Sequence, residues 1–308
     1  MCIRDSSCIA LAAAMILAVS PKVHAQDLEP RRWSHLPTGT HFMGIGYAYT
    51  SGDIGFDPVL LIEDAEVQMH TAALRYIHTF ELFGKSSRLD FGQGFAEARW
   101  TGLLDGAPAS TTREGWTDST VRFSINLLGA PPLEGKDFAT YRTHVADCET
   151  IVGAGLAVSL PTGKYYEERL LNLGSNRFIF RPQLGVVHTR GKWSGELTGS
   201  AFFFTDNDEF FDGNELENDP LLALQGHLVY TFRPGLWLAA GMAYGYGMEA
   251  TINGEEKNDQ RENLLFGASL GVPITRNVGA KISYIGLRTQ DSTGGDLDTF
   301  LAAVSFLW

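Results

Sequence analysis

Side chains that switch polarity at every second position, in segment after segment, constrain this chain more than any other feature. In its last stretch Phe300, Ala302, Val304, Phe306 and Trp308 occupy alternate places. Successive residues of a strand point to opposite faces, so this spacing describes a strand with one continuous apolar face. The pattern begins as early as Thr40 and is sharp from Thr117 onward.

The same alternation recurs in about twelve segments that run to the C-terminus without a domain-like break. It predicts an all-β chain folded as a single antiparallel transmembrane β-barrel of about 12 strands.

In the first segment Met43, Ile45, Tyr47 and Tyr49 oppose Gly44, Gly46 and Ala48. The second and third, near Ala65–Phe80 and Ser87–Trp100, are less regular, and their parity slips around Ala72 and Gly94, as a bulge would cause. In the next, Val121, Phe123, Ile125 and Leu127 alternate with Arg122, Ser124 and Asn126. Later segments set Phe178, Phe180, Leu184 and Val186 against Arg177, Arg181 and Gln183, and Leu197 and Phe203 against Glu196 and Thr198. Leu222, Leu224 and Leu228 oppose Gln225 and His227, while Ile282 and Tyr284 oppose Lys281 and Ser283. With the apolar set facing lipid, the inward set is charged, amide or glycine almost throughout, which implies a wetted interior. Arg122, Asn126, Arg177, Arg181, Gln183, Glu196, Gln225, His227 and Lys281 are therefore the candidate lumen-lining residues. Their charges either set the ionic preference of a pore or pair across a narrow bore. Trp193, Tyr230, Phe232, Trp237, Tyr244 and Trp308 fall near strand ends, where interfacial rings are favoured.

No stretch approaches the ~18 unbroken apolar residues of a spanning helix. A mean hydropathy of -0.06 fits a barrel, because lipid-facing and lumen-facing residues cancel in the average. The apolar run Cys8–Val19, followed by Val23-His24-Ala25, predicts a signal peptide over 1–25, a periplasmic lead-in over 26–37 and the barrel over 38–308. Cleavage after Ala25 removes Arg4, Lys22 and Asp5 from 24 basic and 36 acidic residues, leaving 22 and 35, a net charge of -13. Such a balance excludes a nucleic-acid partner. Cys148 alone would remain, so no internal disulfide forms.

The connections take turns in length. Short ones, such as Arg190–Lys192, Arg233–Gly235 and Thr275–Asn277, alternate with long acidic ones, such as Pro161–Asn176 and Thr205–Asp219. Short periplasmic turns and long external loops follow the outer-membrane pattern. Leu128–Glu149 is long where a short turn is expected, and Asp137–Ala146 has room for a short helix or a plug.

Three motifs invite a chemical reading. Gly267-Ala268-Ser269-Leu270-Gly271 fits the nucleophile-elbow spacing, yet strand alternation runs straight through Ser269. Asp206, Asp208, Asp212, Gly213 and Asp219 approach a calcium loop, but Phe210 occupies a ligand place. Thr162-Gly163-Lys164 lacks the remaining elements of a phosphate loop. The sequence thus offers no catalytic residue, no metal site and no cofactor.

Five stretches carry a family likeness: EGWTDSTVRFSINLLGAPPL (Glu114–Leu133), PTGKYYEERLLNLGSNRFIF (Pro161–Phe180), FFFTDNDEFF (Phe202–Phe211), NDPLLALQGHLVYTFRPGLWL (Asn218–Leu238) and YGYGMEATINGEEKND (Tyr244–Asp259). Together they make the chain resemble the outer-membrane transporter family named for the meta-pathway of phenol degradation, from about Thr40 to Trp308. The resemblance implies a barrel for uptake of aromatic or other small hydrophobic compounds. The last strand also resembles the terminal strand of bacterial outer-membrane barrels, which makes Phe306 and Trp308 an expected assembly signal. The implied partners are outer-membrane lipid and lipopolysaccharide, the barrel assembly machinery and a small-molecule permeant. The competing readings are a barrel phospholipase or deacylase, and a non-conducting structural or adhesin barrel.

Overall fold

A computed structural model describes residues 28–56, 61–145, 148–290 and 293–308 of the chain. The expected signal peptide lies outside the described residues. The barrel wall consists of β1 (His41–Gly55), β2 (Ile62–Leu82), β3 (Lys85–Leu104), β4 (Ala107–Trp116), β5 (Ser119–Leu128), β6 (Cys148–Leu160), β7 (Ile179–Arg190) and β8 (Trp193–Phe204). Beyond the short strands β9 (Asn207–Phe210) and β10 (Asn214–Asn218) come β11 (Leu221–Arg233) and β12 (Leu236–Gly247). After β13 (Ala250–Ile252) and β14 (Glu255–Glu256), the wall finishes with β15 (Arg261–Pro273), β16 (Val278–Thr289) and β17 (Gly294–Leu307). Every wall pairing is antiparallel, and β1 pairs with β17 on one side and β2 on the other, so the sheet closes on itself. β4 and β5 are two halves of one spanning strand, both paired to β3, which makes the closed barrel twelve-stranded. Closure leaves no strand edge to be satisfied by lipid.

The outer face carries Met43, Ile45, Tyr47, Leu184, Leu197, Leu222, Leu224, Leu228, Met242, Ile282, Phe300 and Phe306, all exposed. This apolar belt is a surface suited to contact with lipid. Tight turns join β2 to β3, β7 to β8 and β11 to β12 at the rim where Trp308 meets His41 through paired backbone hydrogen bonds of 3.0 Å. At the opposite rim β14, β13, β10 and β9 form a separate four-stranded sheet built from the long connections.

Three expectations change. The pairing of β2 with β3 runs unshifted from Glu66 to Leu82, and its irregularity falls between Glu63 and Glu66, away from Ala72 and Gly94. Parity only looks broken in the sequence because Val67 and Met69 face inward while Gln68 and His70 face out. Secondly, the interior is not uniformly polar: Val67, Met69, Ala96, Ala98, Trp100, Leu265, Leu287 and Leu297 form one buried apolar cluster. Thirdly, Trp237 is no girdle residue. It is 1% exposed and points inward, packed with Val229 and Ala239.

Candidate functional site

Residues 28–38 lie inside the barrel rather than beside it, which replaces the expected lead-in with a plug. Leu28, Glu29, Arg31, Arg32, Trp33, His35 and Leu36 are all buried. The physical reason is a set of complementary seats on the inner wall. Trp33 donates from Nε1 to Thr198 Oγ1 at 2.9 Å. Its indole lies where two wall residues lack side chains: a Cβ at Gly185 would stand 1.9 Å from Nε1, and one at Gly153 would stand 2.3 Å from Cε3. Leu36 packs with Phe42, Ile77, Leu301 and Leu307 near the terminal rim.

Charge fixes the rest of the plug. Glu29 accepts from Arg75 Nη1 at 2.7 Å and Arg122 Nη1 at 3.0 Å, and pairs with Arg32 Nη2 at 3.0 Å. Asp90 takes the second nitrogen of Arg75 at 3.2 Å and Nε of Arg88 at 3.0 Å. Asp90 and Arg122 face each other across the β3–β5 ladder, so the wall itself sets this cluster. Burial pushes the Glu29 carboxyl up, but Arg75, Arg122 and Arg32 outweigh it and hold the group well below the usual carboxylate range. Arg32 also donates to Gln183 Oε1 at 2.7 Å, and Gln183 in turn donates to Ser200 at 3.0 Å. Arg31 has a left-handed φ of 64°, gives its backbone N–H to Glu196 at 2.7 Å and lays its guanidinium over Trp237 at 5.4 Å.

Two further segments complete the closure. The helix α1 (Gly135–His144) forms within the long Leu128–Glu149 connection, and its Phe138 and Tyr141 meet the His35 ring edge-on at 4.8 and 5.2 Å. His35 Nε2 bonds the Pro131 carbonyl at 2.8 Å, and burial pushes the imidazole down to about 4. From the other rim, the connection between β6 and β7 brings Leu171 and Leu173 against the apolar cluster that also holds Leu28. Asp118, at the break between β4 and β5, pins that connection by accepting from Gly163 N at 2.9 Å and from Ser175 N and Oγ at 3.0 and 2.7 Å.

The nine residues proposed from sequence as lumen-lining are all buried. Arg122, Gln183 and Glu196 contact the plug. Asn126 borders a small cavity left between plug and wall, along with Trp33, Ser34, Leu36, Ser86 and Ser124. Arg177 stands just before β7, donates to Asn218 at 2.6 Å and covers Phe204, while Arg181 covers Phe202. His227 presses on Gly241, and Gln225 and Lys281 lie buried on β11 and β16. Sequence reasoning does not reach Glu29, Trp33, Arg75 and Asp90. The dense run Glu29-Pro30-Arg31-Arg32-Trp33 is the available signal, since a solvated linker has little use for an indole amid charges.

Among solved structures, the chain is similar to the COG4313 outer membrane channel from Pseudomonas putida F1, at 22% identity and a TM-score of 0.75, over 92% of this chain and 100% of that one. It is also similar to the transport unit of the autotransporter AIDA-I from Escherichia coli, at 10% identity and a TM-score of 0.49, over 93% and 94% of the two chains. No curated protein sequence matches it. The sequence model that does match covers residues 50–296, most of the barrel, and the chain therefore belongs to the family described as "Putative MetA-pathway of phenol degradation".

Proposed function

We propose that this protein is an outer-membrane channel for passive uptake of small hydrophobic or aromatic compounds, held shut by its own N-terminal segment. The observation that carries the reading is the docking of residues 28–38 in the bore. An occupant held by side-chain contacts, with no wall strand of its own, can leave and open a path through the barrel. The apolar cluster on the loop side supports an apolar permeant, and the family's name favours aromatic ones. The nine buried wall residues named above would then line the opened path.

The lipid-enzyme alternative has little geometric support. Ser269 sits within continuous β15 and exchanges a 2.8 Å hydrogen bond with Ser283 Oγ, so it lacks the exposed turn of a nucleophile elbow. Phe306 and Trp308, on the outer face of the closing strand, are the positions where the assembly machinery would act.

Planar-bilayer recordings test the channel reading. The wild-type chain should show rare, brief conductance steps, and Trp33→Ala should show long ones. Absence of steps from both proteins, each correctly folded, would sink it.

A further inference from the structure

The cavity between plug and wall is about 20 Å³ in volume, room for one or two water-sized particles and far too little for an aromatic ring. Arg32, Trp33 and Leu36 close it from the plug, and Arg88 of β3 with Ser124 and Asn126 of β5 close it from the wall. Arg88 and Ser124 stand directly opposite each other in the β3–β5 ladder, so the wall presents them as a pair.

Each member of that pair carries a buried polar atom without a hydrogen-bond partner. Arg88 gives Nε to Asp90 at 3.0 Å, but its Nη2 has no acceptor among the described residues, and Ser124 Oγ is equally unengaged. The neighbours cannot supply one. Thr79, opposite Arg88 on β2, donates its hydroxyl to the Pro37 carbonyl at 2.6 Å, and Gly155, opposite Ser124 on β6, has no side chain. A buried donor left unpaired is costly, and more so on a charged group. The cavity lining holds two guanidinium groups and no carboxylate, since Asp90 engages Arg88 from outside it. An anion accepts from a guanidinium and a hydroxyl at once, in charge-assisted bonds. A water would also need acceptors for its own protons, which the indole and leucine surfaces around it do not offer.

We infer that this cavity is a binding site for a single halide-sized anion, held between Arg88 Nη2 and Ser124 Oγ and shut in by the docked plug. Because the plug supplies one side of the enclosure, the site is whole only while the plug is docked, and its occupancy favours docking. That consequence rests on the channel reading; the site itself is tested by binding alone.

Bromide is the probe, titrated into the refolded full chain in detergent, with gluconate holding the ionic strength constant, and followed by bromide line broadening. Wild type should show one saturable site, and in crystals soaked in bromide an anomalous peak should lie within hydrogen-bond reach of Arg88 Nη2 and Ser124 Oγ. Ser124→Ala, which removes only the hydroxyl, should weaken binding about fivefold, and Arg88→Gln at least about tenfold. Arg88→Lys should keep part of the affinity, which separates loss of charge from loss of fold. Benzoate should not compete. No saturable bromide binding by wild type, affinity unchanged in Ser124→Ala and Arg88→Gln, displacement of bromide by benzoate, or a water at the place of the expected peak would each overturn the site. In bilayers, chloride in place of gluconate should shorten wild-type openings more than those of Ser124→Ala; equal openings in both salts would remove the link to docking. Bromide binding as expected with no conductance in any variant would leave the site standing and remove the channel reading, whereas openings in Trp33→Ala with no bromide binding by wild type would do the reverse.

Discussion

The two halves of the lumen are closed by different physics. Toward the loop rim, Leu28, Leu171 and Leu173 meet apolar wall residues, and the contact is apolar on both sides. Toward the terminal rim, the plug is held by ion pairs around Glu29, by an indole in a glycine-lined seat and by the Pro131 carbonyl on His35. Apolar contact is non-directional and tolerates small shifts, so the first half seals. Buried charge tolerates no missing partner, so the second half decides whether the plug is in register.

That contrast can be broken most sharply at Glu29. Glu29→Ala removes the buried carboxylate that Arg75, Arg122 and Arg32 share and should shift the balance toward open by about 3–5 kcal/mol, read as near-continuous conductance. Trp33→Ala empties the glycine seat and should shift it by about 3 kcal/mol, with a smaller rise in open time. Gly185→Ala should mimic it, because the new methyl would collide with the indole, and the double change with Trp33→Ala should add little. On the apolar side Leu28→Ala should cost about 2 kcal/mol, and Leu28→Met almost nothing, as measured by the same open fraction.

Mild acid should have a smaller effect than Leu28→Ala. His35 is held neutral down to about 4 when docked and titrates near its ordinary 6.5 when released, so the released plug binds the extra proton first. The contribution of His35 to docking is therefore greatest above 6.5 and falls as pH drops toward 4, by about tenfold at pH 5.5. The groups facing the ring are Tyr141 and Arg142 from α1 and Glu149 from β6. Glu149 Oε1 stands 3.8 Å from Nδ1, outside hydrogen-bond reach, and Arg142 engages that carboxylate, so burial prevails. His35→Gln should remove this contribution; an unchanged pH profile would place the titrating group elsewhere.

The barrel is legible in the sequence because lipid imposes a strict rule on one face: Leu222, Leu224 and Leu228, or Phe300 and Phe306, are assigned outward from spacing alone. The interior obeys no such rule. Where the wall rises toward the loops, inward Val67 and Met69 alternate with outward Gln68 and His70, which inverts the polarity code. Position alone sends Trp237 to the outside, because aromatic residues near strand ends belong to the girdle far more often than to a lumen. The plug has no periodicity at all. Its seat is written in absent side chains, Gly153 and Gly185, and an absence becomes meaningful only when β6 and β7 are seen side by side.

The plug is continuous with β1, leaving the lumen through Thr38 and Gly39, whose amides bond Leu133 and Thr79 at 2.9 Å. A released plug thus stays on a leash of about ten residues, at an effective concentration in the millimolar range set by that length. Reclosure is then unimolecular and indifferent to how much protein the membrane holds. Any soluble molecule that competes with the docked plug has to be present on that same concentration scale.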